Sequence, residues 1–283
     1  PYHHYEIMQS HMKNMQLILL DEEHVAYCKK YYAEVSSVDM GYLIGPTGVP
    51  KPYEERDIEV LFTGTCINQN ISGIIDSEEA EDLLHFLIES SIHNPDISMM
   101  ELMEYLFNGN NMPKISDEDF KCMMNVLGRK AEKYLRGYFR RKIVCALVDA
   151  GIRIHVAGEG WEECYAQKPD NLILLGKIGI EQTAELTARS KILLNVMPWF
   201  KAGMHDRILT AMHNGAICVT DSSSYIDTHF QDNENIVLYK LNEIEKLPFI
   251  ISKLLKNQNQ AEKIAIKGME KAEEYTWDKF VMK

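Results

Sequence analysis

Short apolar runs alternate with amphipathic segments along the second half of the chain. Such runs are typical of buried parallel strands, and apolar residues at helical spacing predict helices between them. Because crossovers between parallel strands are right-handed, the alternation predicts an α/β fold with a Rossmann-like parallel sheet covered by helices on both faces. The predicted strands are Ile152–Ala157, Leu172–Leu175, Ile192–Val196, Ala216–Thr220 and Ile236–Tyr239, and the predicted helices are Ile180–Ala188, Met204–Asn214 and most of Leu241–Glu274.

The first half of the chain has a different pattern. A strand is predicted at Ile58–Phe62, after the Gly- and Pro-rich stretch Gly45–Pro50, which is typical of a linker. From residue 77 to residue 150 the apolar spacing is helical, and separate helices are predicted near Asp117–Val126 and Gly128–Ala150. Because this block is long for one crossover, we predict a helical insertion at about residues 74–140, and we expect the last helix to make the crossover.

The chain is acidic and has no long apolar segment. It contains 30 Lys and Arg against 42 Asp and Glu, a net charge of −12. It therefore lacks the broad basic surface that binds nucleic acid or anionic membranes, and neither partner is expected. No run approaches the ~18 uninterrupted apolar residues of a transmembrane segment. Six scattered cysteines without a C-x-x-C pair favour reduced thiols, and hence a soluble cytoplasmic protein.

Glycines follow several predicted strands, and one predicted helix begins with basic residues. Gly64, Gly158 and Gly176 stand at strand ends, where the backbone can approach a ligand closely. The helix from Met204 begins with His205-Asp206-Arg207, and the free amides of a first helical turn attract phosphate, especially beside a cation. This combination predicts an anion-binding site. In the alternative interpretation, each glycine is a turn residue, the histidine caps the helix, and the arginine pairs with the aspartate or with solvent.

Three further features have both a chemical and a structural interpretation, and the structural one is favoured for each. Asp117-Glu118-Asp119 has the D-x-D spacing of some metal sites, but Ser116 before it is a typical N-cap, and no metal site is predicted. The basic helix 129–142 would suit an acidic partner, yet such helices are usually solvated, and pairing with the acidic helix near Glu78 is expected. Cys66 is expected to be a packed thiol.

Three stretches resemble a known enzyme family. Arg56–Thr65, which reads RDIEVLFTGT, is similar to the "R-x-I-D-V-L-F-x-G" opening of the C-terminal domain in CgeB-like (spore-maturation type) glycosyltransferases of the GT-B class. The stretch from Asn195 through His205-Asp206-Arg207 to Asp221 resembles the family's "N…H-x-R-x-x-E-A-M-A-x-G-A-x-x-x-T-D" signature. Tyr275-Thr276-Trp277 resembles the closing "H-T-Y" segment. The likeness extends over about residues 20–283 and is least typical in the helical block.

The resemblance implies two Rossmann-like halves, of which the C-terminal half binds a nucleotide-sugar donor such as a UDP- or GDP-sugar, with no metal and no other cofactor. Residues 1–50 are then the remnant of an N-terminal domain with a linker, and residues 51–283 are the donor-binding domain. The acceptor, an unknown glycan, protein or small molecule, usually sits on the N-terminal half, so the chain is expected to be an incomplete enzyme.

The resemblance also implies roles for individual residues. The E-x7-E pair of many retaining GT-B enzymes corresponds to Ala202 and Thr210, so ribose binding is expected to be weakened or taken over by Asp206 or the loop from Asp221 to Ser224. The implied catalytic residues, at the diphosphate, are His205 and Arg207. The implied donor-binding residues at the diphosphate are Gly64 and Thr65, with Gly158 at a neighbouring strand end. Those implied at the base are Gly176, Lys177 and Ile178, and those implied for the ribose are Thr210, Asp221 and Ser222.

Two hypotheses from different functional classes follow. The first is a metal-independent glycosyltransferase or its donor-binding domain. The second is a catalytically inactive nucleotide-binding or protein-assembly module on the same fold, suggested by Thr210 and by the helical block. A dinucleotide oxidoreductase is disfavoured, because no predicted strand is followed by G-x-G-x-x-G, and Gly158-Glu159-Gly160 continues with Trp161.

Overall fold

The computed structural model describes residues 5–66, 77–108, 113–162, 164 and 166–281. No helix in these ranges combines the length and the apolar composition that crossing a bilayer requires. The strands are β1 (Gln16–Leu19), β2 (Ser37–Met40), β3 (Ile58–Thr63), β4 (Ile154–Ala157), β5 (Leu172–Gly176), β6 (Ser190–Leu194), β7 (Ile217–Asp221) and β8 (Val237–Tyr239). The helices are α1 (Tyr5–His11), α2 (Glu22–Tyr31), α3 (Glu78–His93), α4 (Met99–Asn108), α5 (Asp117–Met123), α6 (Arg129–Asp149), α7 (Ile180–Ala188), α8 (Asp206–His213), α9 (Ser224–His229), α10 (Leu247–Lys256), α11 (Gln258–Ala272) and α12 (Trp277–Val281).

Six of the strands form one parallel sheet in the order β5-β4-β3-β6-β7-β8. The order reverses at β3, where Val60 is in register with Ile154 of β4 on one side and Ile192 of β6 on the other. In open sheets of this kind, ligands bind beyond the carboxyl ends of the strands at the point of reversal. The predicted α/β fold with a Rossmann-like parallel sheet is confirmed.

Apolar side chains fill both faces of this sheet, because successive residues of a strand point to opposite sides. Val60 and Phe62 of β3 join the hydrophobic cluster that contains the buried faces of α3, α6 and α10. Leu61, between them, joins a second cluster on the opposite face, with Leu193 and the apolar side of α8. A strand buried on both sides needs a nearly continuous apolar run, which is the pattern that the sequence displays.

Most element boundaries lie within about two residues of the prediction, but one strand was missed. β2 has a single buried residue, Val38, and its sequence Ser-Val-Asp-Met carries no strong strand signal. It forms because it pairs in parallel with β1, with Gln16 opposite Ser37. The predicted helical region after Leu241 is helical in separate parts, with non-helical backbone at Glu243 and a new helix cap at Asn257.

The helical block consists of α3 to α6, and α6 leads into β4, so its last helix completes the crossover as predicted. The predicted break before Gly128 is wrong. Met124–Gly128 form a π-helical turn that joins α5 to α6, and the backbone of Gly128 is helical (φ −57°, ψ −45°). Parts of the predicted insertion, at 74–76 and 109–112, lie outside the described residues.

The N-terminal segment is anchored to the loop between β6 and α8. The carboxylate of Asp21 caps α2 by accepting from the Glu23 N–H at 2.8 Å. It also accepts from the backbone N–H groups of Lys201 and Ala202, both at 2.9 Å. Gly203 permits this approach, because a Cβ there would lie 2.6 Å from the Cα of Asp21. A boundary between domains at residue 50 stays a prediction.

Candidate functional site

A pocket of about 390 Å³ lies at the carboxyl ends of β3 and β4 and at the start of α8. We call it the strand-end pocket, and its volume is within the range of small-molecule sites. It brings together most of the predicted site residues from four separate parts of the chain. These are Gly64, Thr65, Gly158, Lys177, Ile178, His205, Arg207 and Thr210, with Glu159 and Asp206 as its carboxylates.

The floor of the strand-end pocket is backbone, because the ends of β3 and β4 approach each other closely. The N–H of Gly64 donates to the carbonyl of Ala157 at 2.7 Å, and the Gly158 N–H donates to the Gly176 carbonyl at 2.8 Å. A Cβ on Gly158 would lie 2.5 Å from the Gly64 carbonyl carbon and 2.9 Å from the Thr65 nitrogen. Gly176 therefore supports the pocket through its carbonyl and does not line it.

The start of α8 carries a chain of three polar side chains. His205 precedes the helix, and its Nε2 lies 3.3 Å from Nη1 of Arg207. Its Nδ1 contacts the Asp206 carboxylate and also lies 3.3 Å from the Arg207 backbone nitrogen. One ring nitrogen cannot donate and accept at once. Since a carboxylate can only accept, we place the proton on Nδ1 and leave Nε2 to accept from the guanidinium.

Burial, followed by the charge of Arg207, lowers the pKa of His205 to about 4, so the ring is neutral at pH 7. The unfolded chain takes up a proton near pH 6.5 and the folded chain only near pH 4, so the free energy of unfolding falls as the pH drops through this window. We expect His205→Gln to lose about 2–2.5 kcal/mol less stability than the parent between pH 7 and pH 4.5. Urea unfolding at several pH values measures this.

The control is His93→Gln, an exposed residue of α3, which we expect to follow the parent profile. Parallel profiles for His205→Gln and the parent would contradict a buried neutral ring.

Two guanidinia lie at the strand-end pocket, and a third is close to both of them. Arg207 Nη1 donates to Oδ1 of the buried Asn195 at 3.2 Å, and Arg140 Nη1 donates to the Thr65 carbonyl at 2.7 Å. The guanidinium of Arg136 lies 3.9 Å from the centre of the Trp199 ring. Burial is the main cause that lowers the pKa of each of the three arginines. A cation removed from water in this way attracts an anion.

The expectation that the basic helix is a solvated face is wrong for two of its arginines. Arg140 is 5% exposed, and Arg136 is half-buried against an indole ring. Both lie on the helix face that also carries Glu132, because positions four apart share a face. The four-residue spacing of these charges indicates that they share one face of the helix. The basic character of the whole helix concealed this signal in the sequence.

Thr210 lies in the strand-end pocket, but its hydroxyl is already engaged. It donates to the Asp206 carbonyl at 2.9 Å, and the residue is 2% exposed. The linker crosses directly over it, since a Cβ on Gly45 would touch the hydroxyl and lie 3.1 Å from the Thr210 Cβ. A longer acidic side chain at this position would collide with the linker. Threonine rather than glutamate at this position is therefore consistent with the path of residues 45–48.

Asp221 and Ser222 are not brought to the strand-end pocket. They line a different cleft of about 630 Å³ beyond β7 and β8. The Asp221 carboxylate is buried, which raises its pKa to about 6, and it accepts from the Met197 N–H at 2.8 Å. Of the two alternatives for ribose binding, only Asp206 lines the strand-end pocket.

The remaining candidates have structural roles. Ser116 caps α5 by accepting from the Asp119 N–H at 3.1 Å, as predicted. Cys66 is buried, and burial raises the pKa of its thiol, so the expectation of a packed thiol is confirmed. Within the ranges that the structure describes, no three His, Cys, Asp or Glu side chains are grouped so as to hold a metal ion.

Residues 136–283, just over half of the chain, match the family model described as glycosyl transferase-like. The chain belongs to this glycosyl transferase-like family. The matched region begins at Arg136 and includes Arg140, α8 and every strand of the large sheet except β3. No curated protein sequence matches the chain.

Solved structures of glycosyltransferases share the fold of this family member. The crystal structure of TarM has a TM-score of 0.53 at 13% identity and covers 98% of this chain and 44% of TarM. A TarM variant of S. aureus, in complex with fondaparinux, alpha-GlcNAc-glycerol and UDP, has a TM-score of 0.54 at 13% identity, with the same coverage. The architecture is thus that of GT-B enzymes. The chain spans less than half the length of these relatives.

Proposed function

We propose that the chain is the donor-binding half of a GT-B glycosyltransferase that transfers a sugar from a nucleotide-sugar to an acceptor without a metal. One observation carries this proposal: buried guanidinia converge on a backbone-floored pocket at the point where the strand order reverses. Membership of the glycosyl transferase-like family agrees with it. Because the TarM variant is in complex with UDP, UDP is the nucleotide to test first.

The proposed binding mode follows from the chemistry of the strand-end pocket. The diphosphate binds between Arg207 and the backbone of Gly64 and Thr65, and the base lies over Lys177 and Ile178. Sugar transfer breaks the bond between the anomeric carbon and a diphosphate oxygen, and negative charge develops on the departing diphosphate. A fixed guanidinium and helix-end amides stabilise that charge electrostatically, which is the role that we propose for Arg207.

We propose that Asp206 takes the part of the absent glutamate toward the ribose. It stands four residues before Thr210, one turn earlier on the same helix face, and it lines the strand-end pocket. Its carboxylate can accept from two hydroxyls, whereas the Thr210 hydroxyl is committed to the backbone. His205 holds the carboxylate in place through its proton on Nδ1.

The subfamily, the location and the acceptor also belong to this proposal. The motif at Arg56–Thr65 supports a CgeB-like subfamily, and the scattered cysteines support a cytoplasmic location. The acceptor is an unknown glycan, protein or small molecule. Since the chain spans 44% of TarM, we propose that the acceptor site and any catalytic base belong to a further N-terminal domain.

The second candidate function is an inactive nucleotide-binding or assembly module. The engaged hydroxyl of Thr210 favours it, because the carboxylate clamp of many related enzymes is missing at that position. Slow hydrolysis of a UDP-sugar separates the two candidates. Turnover that is lost in Arg207→Met supports the transferase, and nucleotide binding without any turnover, even in a chain extended by its N-terminal domain, supports the module.

Calorimetry with UDP, UDP-sugars and GDP-sugars tests the proposed function. We expect Arg207→Met to weaken nucleotide binding by about 1.5–3 kcal/mol, the usual contribution of a hydrogen bond to a charged group. The matched control is Arg153→Met. Arg153 is exposed and lies just before β4, at the amino ends of the strands and away from the strand-end pocket, so we expect this variant to bind like the parent. Absence of binding by every nucleotide, or unchanged binding by Arg207→Met, would contradict the proposal.

A further inference from the structure

Arg140 lies close to the strand-end pocket although it comes from the middle of α6. A Cβ on Gly64 would be 3.4 Å from the guanidinium carbon of Arg140 and 3.1 Å from Nη2 of Arg207. The two guanidinia thus stand beside the same point of the pocket floor. The absence of a side chain on Gly64 leaves the space that both of them border.

The hydrogen bonding of Arg140 is incomplete. One Nη1 bond reaches the Thr65 carbonyl at 2.7 Å, while its Nε is buried without a hydrogen-bond partner in the described part of the chain. The residue is 5% exposed, so water does not solvate the group well. A buried donor without a partner is costly, so its presence calls for an explanation, and a bound anion is one of those that apply to such groups.

The charges around Arg140 have the same sign. Arg207 and Arg136 lower its pKa further after burial, and the guanidinia of Arg140 and Arg207 each lie 5.7 Å from the centre of the Phe62 ring. Carboxylates stand beside the other two arginines, Glu132 beside Arg136 and Asp206 beside Arg207. In the residues that the structure describes, Arg140 faces the Cys66 thiol rather than a carboxylate.

We infer that Arg140 is a second phosphate-binding residue and that it makes the strand-end pocket selective for nucleoside diphosphates over monophosphates. This inference rests on the proposed function. Arg207, at the start of α8, takes one phosphoryl group, and Arg140, beside the same point of the pocket floor at Gly64, takes the second. A diphosphate supplies negative charge that offsets the repulsion between the two close guanidinia. A monophosphate reaches one guanidinium and leaves the other as it is in the free protein.

The experiment compares UDP with UMP in calorimetric titrations of the parent and of variants. We expect Arg140→Met to weaken the binding of UDP by about 10- to 100-fold and the binding of UMP by less than about threefold. The preference for the diphosphate would then be largely lost. Arg140→Gln removes the charge but keeps an amide donor for the Thr65 carbonyl, and it is expected to behave in the same way if the Met variant does not fold. Arg129→Met, an exposed arginine at the start of the same helix, is the control and should retain the parent's ratio.

The outcomes separate this inference from the proposed function. If the parent binds UDP and Arg207→Met loses it, but both Arg140 variants keep the parent's ratio of UDP to UMP affinity, the inference about Arg140 is overturned and the proposed function stands. Failure of the parent to bind any nucleotide overturns both. Equal weakening of UDP and UMP by the Arg140 variants also overturns the inference, because it points to a general effect on the pocket.

Discussion

Replacing Gly158 with alanine is expected to lower the free energy of unfolding by about 3 kcal/mol or more and to abolish UDP binding. The new Cβ would lie 2.5 Å from the carbonyl carbon of Gly64 and 2.9 Å from the nitrogen of Thr65, so backbone must move rather than a flexible side-chain tip. The φ of Gly158, +141°, is also one that residues with a side chain rarely adopt. Displacing the end of β3 removes the floor of the strand-end pocket.

Gly176→Ala is the matched control for this substitution. Gly176 also has a positive φ, +68°, but a Cβ there meets nothing within 4 Å. Only the backbone penalty remains, about 1–2 kcal/mol, and UDP binding should persist. Chemical unfolding and calorimetry on the two variants measure both effects. Similar stabilities for Gly158→Ala and Gly176→Ala would contradict the close backbone contact between β3 and β4.

The second large effect is expected at Asp21. Asp21→Ala should lower the free energy of unfolding by about 3–5 kcal/mol. The substitution removes the N-cap of α2 and, at the same time, the acceptor for two backbone N–H groups of the loop between β6 and α8. The carboxylate accepts from the N–H groups of Glu23, Lys201 and Ala202, and the residue is 1% exposed, so these amides would be left without their acceptor. Since the loop leads into His205, UDP binding should weaken as well.

Two variants give this prediction its controls. Asp21→Asn keeps one carbonyl oxygen and should be less destabilised than Asp21→Ala. Asp39→Ala makes the same charge change on an exposed position of β2 and should change the stability by less than about 0.5 kcal/mol. Thermal and urea unfolding measure all three. A small loss for Asp21→Ala, comparable to that of Asp39→Ala, would show that the N-terminal segment does not anchor the loop.

The large sheet could be predicted from the sequence because its strands are buried on both faces. Such strands need a nearly continuous apolar run, as at Ile217, Cys218 and Val219 of β7, and this makes them visible without structural information. β2, in the separate two-stranded sheet, lacked that signal. β2 exists through its pairing with β1, which is a contact between distant residues and leaves no local pattern.

The candidate site was predictable where it depends on chain order and not where it depends on packing. Strand-end glycines and the start of α8 gather at one edge in any sheet of this topology, so their convergence followed from the order of elements. Arg140 was assigned to solvent, because the basic character of the whole helix concealed which of its charged residues lie on the buried face of α6. The positions of Asp221 and Ser222 in a second cleft likewise depend on how the loops pack.

The central claim is that the strand-end pocket, with Arg207 at its inner end, binds the diphosphate of a nucleotide. A crystal structure of the protein grown with saturating UDP tests it most directly. We predict electron density for the diphosphate between the guanidinium of Arg207 and the backbone of Gly64 and Thr65, with the uracil beside Lys177 and Ile178. Ordered UDP in the cleft lined by Asp221, with the strand-end pocket vacant, would contradict the claim.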